Sequence, residues 1–182
     1  MNHDRARLLV IVGAVGVLVT GTVLAVGLAH GRLDTGERLR VAACGPANPA
    51  GAVVNVTLSD RGGAMMGDGN STMVSLVASP RWVSSGTVTF VATNLGALDH
   101  ELLVFPASPD GVGTRPVGPN GRIDESSSLG EASTSCGPGP GHGISPGTSS
   151  WVTLHLAPGN YELVCNVPWH YANGMFAAFS VR

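Results

Sequence analysis

Residues 165–175 read CNVPWHYANGM, and this stretch decides how the rest of the chain is read. It holds Cys165, His170 and Met175, with four residues between each ligand-type side chain and the next. A thiolate, an imidazole and a thioether are the donors that suit copper, and a trigonal blue-copper plane needs a second imidazole. His100 supplies it. It follows the turn Asn94-Leu95-Gly96 and opens the apolar run 102–105. The candidate set is therefore His100, Cys165, His170 and Met175.

Working outward, the flanks of this loop are strand-like. Tyr161–Val164 runs into Cys165, and Met175–Val181 leaves the loop. Upstream, Val53–Leu58, Met73–Ala78, Gly86–Asn94, Asp99–Phe105 and Trp151–Leu156 read as further strands, several alternating apolar with polar residues. Short strands separated by turn signals predict an all-β, antiparallel β-sandwich. Residues 106–148 differ, with ten Gly and seven Pro. They predict a long excursion between strands, with one short helical turn around Asp124–Glu131.

At the other end, residues 8–29 carry 22 residues without a charge. A helix of that length spans roughly 33 Å, enough for a bilayer core. Arg5 and Arg7 precede it, which keeps the N-terminus cytoplasmic and sends the remainder outside. A cleaved signal peptide ending near Gly27-Leu28-Ala29 is the competing reading. Val41-Ala42-Ala43-Cys44 also resembles a lipoprotein box, although Glu37, Arg38 and Arg40 separate it from the apolar run. The expected organisation is 1–30 anchor, 31–50 linker and 51–182 folded domain. The domain is expected at the cell membrane on the extracytoplasmic side.

The chain has 182 residues and a net charge of −2, and its ten basic residues other than His are all Arg. So little positive charge argues against nucleic acid as a partner. Of three cysteines, Cys44 and Cys136 remain after Cys165 is assigned. Outside the cytoplasm they can form a disulfide; otherwise they are two free thiols. Met65-Met66 can dock copper or a partner, but such residues more often cover apolar surface. His142 and His155 read as surface or packing residues, and Asp124-Glu125 as a solvated loop pair. Cys165 as a hydrolase nucleophile is disfavoured by its Met partner and β setting.

YELVCNVPWHYANGM, with NLGALDHELLVF upstream, resembles the cupredoxin (type 1 blue copper) family over roughly residues 52–182. The Cys-x4-His-x4-Met spacing is similar to that of sulfocyanin, auracyanin and rusticyanin. The resemblance implies a Greek-key β-sandwich, one type 1 copper on His100, Cys165, His170 and Met175, and one-electron transfer without enzymatic turnover. One departure is Glu101, where many members carry an Asn that braces the Cys loop. Asn166 is expected to hold the two ligand loops together instead. Pro168, Trp169, Tyr171 and Ala172 are expected to form an apolar docking rim around His170. Expected partners are redox proteins: a membrane oxidase, a quinol-oxidising complex or small electron carriers. A copper chaperone or buffer outside the cytoplasm is the alternative function.

Overall fold

The computed structural model describes residues 44–61 and 73–182. The apolar segment 8–29, the signal and lipoprotein sequences up to Ala43, and Met65-Met66 lie outside them. Among the described residues no helix is long and apolar enough to cross a membrane.

Among the described residues nine strands form: β1 Ala52–Arg61, β2 Met73–Ser79, β3 Trp82–Val83, β4 Gly86–Asn94, β5 Leu102–Pro106, β6 Gly130–Ala132, β7 Ser149–Leu156, β8 Gly159–Val164 and β9 Phe176–Val181. They make two sheets, β2-β1-β4-β7 and β3-β9-β8-β5-β6. The all-β sandwich is as expected, but it is not wholly antiparallel. β1 runs parallel to β4, pairing Val54 with Phe90, and β3 runs parallel to β9.

Alternation along the strands explains the layers. Val54, Val56 and Leu58 of β1 and Val88, Phe90 and Ala92 of β4 point into the space between the sheets. From the other sheet come Leu102, Val104, Leu163, Phe179 and Val181. Phe90 meets Phe179 edge-on across this core, with ring centroids 5.1 Å apart, a favoured aromatic geometry.

β5 is apolar at every position from Leu102 to Phe105 because both its faces are covered. Leu103 and Phe105 point to the outer face of the second sheet, where they join Val164, Ile123 and Tyr171 in a second cluster. The Gly/Pro excursion is thus a packed flap over that face. It also contains β6, which pairs with β5 where a helical turn was expected. The physical reason lies in Asp124, whose carboxylate accepts the Ser126 N–H at 3.0 Å and its hydroxyl at 2.7 Å. Local side-chain bonds of this kind compete with helix.

Cys44 and Cys136 form a disulfide. It draws Cys44, expected within a linker, onto the start of β7, where the Cys136 N–H donates to Ser149 O at 2.8 Å. The ends of β1, β4 and β8 and the starts of β5 and β9 converge at one pole of the sandwich.

Candidate metal centre

Four ligand-type side chains meet at that pole. Cys165 directly follows β8, and Met175 directly precedes β9. Between them the chain makes a compact turn. Asn173 N–H donates to Trp169 O at 3.0 Å, Gly174 N–H to Tyr171 O at 2.9 Å, and Met175 N–H to His170 O at 3.0 Å. Gly174 adopts φ +90°, a conformation that L side chains rarely tolerate, and this lets the chain leave the turn into β9.

His100 reaches the same place from the loop between β4 and β5. Its N–H donates to Ile144 O at 3.2 Å and its carbonyl accepts from Ile144 N–H at 2.7 Å. The strand expected from Asp99 starts only at Leu102 because the Glu101 N–H turns away from any ladder and donates to Cys165 Sγ at 3.3 Å. Asn94 fixes the loop before His100. Fully buried, it donates to Leu98 O at 2.7 Å and Ile144 O at 2.6 Å, and accepts from Gly96 N–H at 2.8 Å.

The donor atoms of His100, Cys165 and His170 all lie within 4.8 Å of one another, and all three residues are buried. His100 Nδ1 is 3.3 Å from His170 Nδ1, and Cys165 Sγ is 3.8 Å and 3.4 Å from them. Met175 is fully buried and packs in the same apolar cluster as Cys165. Burial pushes the Cys165 thiol up to about 12, against the opposing pull of the Glu101 and Val167 N–H groups. Burial also lowers His170 to about 4, reinforced by the neighbouring His100. His100 is lowered by burial too, partly offset by Asp60. Both imidazoles are therefore neutral near pH 7, as ligation requires. Two neutral imidazoles, one thiol and a thioether fit one type 1 copper. Zinc also takes Cys and His, but its usual protein donors are Cys, His and carboxylates, and a buried thioether selects the softer copper.

The surroundings differ from expectation in three places. Asn166 does not join the His100 loop directly. Its Oδ1 accepts the Ile123 N–H at 2.8 Å, and its Nδ2 donates to Ile123 O at 3.1 Å and Glu125 Oε1 at 2.6 Å. Arg122 then pairs with Glu101 Oε2 at 3.1 Å. The flap segment 122–125 is thus the bridge between the two ligand loops, and Glu101 replaces the expected Asn by ion pairing.

Tyr171 does not belong to the exposed rim. It is 2% exposed, and its hydroxyl donates to Glu162 Oε1 at 2.9 Å while accepting the Arg115 N–H at 3.0 Å. Glu162 is fully buried, and Arg115 Nε neutralises it at 2.8 Å. Pro168, Trp169 and Ala172 are exposed, and so are Leu95 and Leu98 from the loop preceding His100.

Asp60 is the third surprise. Its Oδ1 lies 3.0 Å from His100 Nε2. At the end of β1, ahead of Arg61-Gly62-Gly63, it reads in sequence as a turn residue, and no spacing links it to His100. His142 and His155 are exposed and stand outside the cluster.

No protein-family model and no curated protein matches the chain. Among solved structures it is similar to dithionite-reduced auracyanin from Roseiflexus castenholzii, at 19% identity and TM-score 0.45, over 74% of this chain and 99% of that one. Reduced rusticyanin gives 18% identity and TM-score 0.45, over 79% and 91%. Auracyanin A, a "blue" copper protein from Chloroflexus aurantiacus, gives 18% identity and TM-score 0.43, over 72% and 100%.

Proposed function

We propose that this chain is a membrane-tethered blue copper protein of Greek-key cupredoxin architecture, carrying single electrons between redox partners outside the cytoplasmic membrane. One observation carries the reading: the buried convergence of His100 Nδ1, Cys165 Sγ and His170 Nδ1, with Met175 closing the same loop.

Copper bound there supplies a one-electron couple. The protein's residues do the rest. The Met175–His170 and Cys165–Met175 main-chain bonds hold the ligand loop in one shape. The Glu101 N–H stabilises a negative sulfur. Burial of His100, Cys165 and Met175 excludes water. His170 alone among the four has surface, at 7% exposed, and Pro168, Trp169, Ala172, Leu95, Ala97 and Leu98 are the exposed apolar groups of its own and the His100 loop. A small apolar rim of this kind suits brief docking to an electron donor or acceptor, whose interfaces are among the smallest.

The tether rests on residues 8–29, which are long and apolar enough to span a bilayer. The Cys44–Cys136 disulfide supports an oxidising compartment. A tether raises the effective concentration of the carrier near membrane oxidases or quinol-oxidising complexes. The chaperone alternative wants ligands an acceptor can reach, and three of these four are fully buried. Catalysis by a multicopper enzyme needs further metal centres, and the described residues hold a single cluster.

The test is to load the purified full-length protein with Cu(II). An intense blue colour, bleached and restored by reduction and oxidation with copper retained, is expected. A colourless product sinks the copper reading, and copper lost to an apo-acceptor on reduction favours the chaperone.

A further inference from the structure

We infer that Asp60 is the positioning residue for His100: its carboxylate holds the imidazole with Nδ1 free for the metal and lowers the reduction potential by placing a negative charge behind that ligand. This rests on the copper reading above.

The geometry is built rather than incidental. Asp60 Oδ1 receives three donors: the Ala97 N–H at 2.8 Å, the Leu98 N–H at 3.0 Å and His100 Nε2 at 3.0 Å. The Asp60 side chain is 3% exposed and the His100 side chain fully buried. Gly96 is part of the same construction, because a Cβ there would collide with the Asp60 carboxylate. Asp60 therefore ties β1 of the first sheet to the loop that delivers a ligand to the pole.

The chemistry follows from the imidazole. A neutral ring carries one N–H, and the hydrogen bond at one nitrogen fixes the role of the other. A carboxylate accepts and cannot donate. His100 must therefore donate from Nε2, which leaves the Nδ1 lone pair facing Cys165 Sγ and His170 Nδ1. A carboxylate behind a ligand imidazole also raises its basicity. Among the described side chains, only His100 bonds to Asp60, and as a neutral imidazole it does not cancel the charge, so the carboxylate's negative charge acts on the site. It favours Cu(II) over Cu(I) and draws the potential down.

Asp60→Asn separates charge from shape, since its amide oxygen still accepts from the same three donors. The blue protein is expected to form, with the Cu(I)-to-Cu(II) affinity ratio raised about tenfold, a shift of about 59 mV for one electron. An unchanged potential overturns the electrostatic role. The metal-free protein gives a readout that does not need copper. Nitrogen-15 NMR of His100 is expected to show the Nε2–H tautomer in the wild type and a mixed population in Asp60→Ala. An Nδ1–H tautomer in the wild type overturns the positioning role even if neither variant folds. A wild type that shows the Nε2–H tautomer yet stays colourless with Cu(II) condemns the copper reading and leaves the Asp60–His100 contact standing.

Discussion

The main-chain N–H of Cys165 donates to the carbonyl of Met175 at 3.1 Å, so the first and last ligands of the loop are joined through their own backbones. The eleven-residue stretch from Cys165 to Met175 is thereby closed into a ring. Met175 N–H returns to His170 O at 3.0 Å, which subdivides it. A ring braced this way resists the displacements that a change of copper oxidation state would otherwise drive.

Exchanging the donors therefore tests chemistry rather than folding. Cys165→Ser removes the thiolate, and its copper-loaded form is expected to be colourless. Met175→Leu is close in volume, a kind of core swap usually tolerated within about 1.5 kcal/mol. It is expected to stay blue and bind copper, with a raised potential because the thioether would tune it. A blue Cys165→Ser, seen in the visible spectrum, would show that the sulfur ligand has been misassigned.

Copper uptake carries a pH dependence of definite sign. The metal-free Cys165 thiol, pushed up to about 12 by burial, keeps its proton at neutral pH. Each copper bound as thiolate therefore releases one proton, and log affinity is expected to rise by about one per pH unit from pH 5 to 8. Below about pH 4 His170 is protonated as well, and the slope is expected to steepen towards two. Calorimetry in buffers of different ionisation heats counts the protons. A count of zero at pH 7 would mean the thiol is already ionised without metal.

The disulfide closes a sequence separation of 92 residues. Chain-entropy arguments give about 4–5 kcal/mol for so long a loop, and typical measured values are about 2–4 kcal/mol. Cys44→Ser combined with Cys136→Ser is expected to lower the unfolding free energy by about 3 kcal/mol, read from denaturant midpoints of metal-free protein. Thiol titration of the unfolded, unreduced, metal-free wild type is expected to find a single reactive group, Cys165. Three reactive groups would contradict the pairing.

How much of this was legible beforehand varies by residue. The ligands were, because their types and order sit on one short loop, and His100 stood at a strand start after a turn. The sandwich was legible from alternation in stretches such as Gly86–Asn94, which forms β4 with the expected bounds. Tyr171 was not. In a compact turn successive side chains point in different directions, so His170 faces the site while Tyr171 faces the second cluster. Only the folding of the flap over that face buries it. Glu162 shows the same limit. Its side chain falls on the outer face of β8, where a charge reads as solvated until Arg115 arrives from 47 residues earlier to neutralise it. Asp60 was invisible as a partner of His100, and Ile123 and Glu125 as partners of Asn166, because hydrogen bonds between distant segments leave no spacing in the chain.

Asn166 supplies a prediction about stability. It satisfies both the N–H and the carbonyl of buried Ile123. Leaving a buried backbone group unpaired costs about 1–3 kcal/mol, so Asn166→Ala is expected to destabilise the metal-free protein by on the order of 2 kcal/mol. It is also expected to raise hydrogen exchange in residues 120–125 first. Uniform protection across that segment would show that the flap is held by its apolar contacts alone.

The proposed docking surface can be tested without knowing the partner, because two copper-loaded copies of the chain in different oxidation states can exchange an electron with each other. Trp169 is the residue to change. It holds φ +69°, rare for a side chain of its size, and it is 54% exposed beside the one ligand with surface. Its N–H donates to Gly121 O at 2.7 Å, and its own carbonyl accepts from the Asn173 side chain at 2.9 Å. Gly121 lies close beneath the indole, where a Cβ would come within 2.8 Å of the ring. A strained backbone kept in place by two neighbouring segments presents that ring at the surface in a fixed pose, and strain of this kind is found at functional sites. Trp169→Glu places a carboxylate there, so two copies meeting through this face bring like charges together. At close range in water that repulsion is worth about 1 kcal/mol, and with the lost apolar contact the self-exchange rate is expected to fall about tenfold. Added salt should recover part of the loss, because it weakens the repulsion between solvent-exposed charges. The visible spectrum should be unchanged, since Trp169 is not a ligand. Self-exchange measured by NMR line broadening of mixed oxidation states decides the matter, and a rate untouched by the substitution would move the docking surface away from the His170 face.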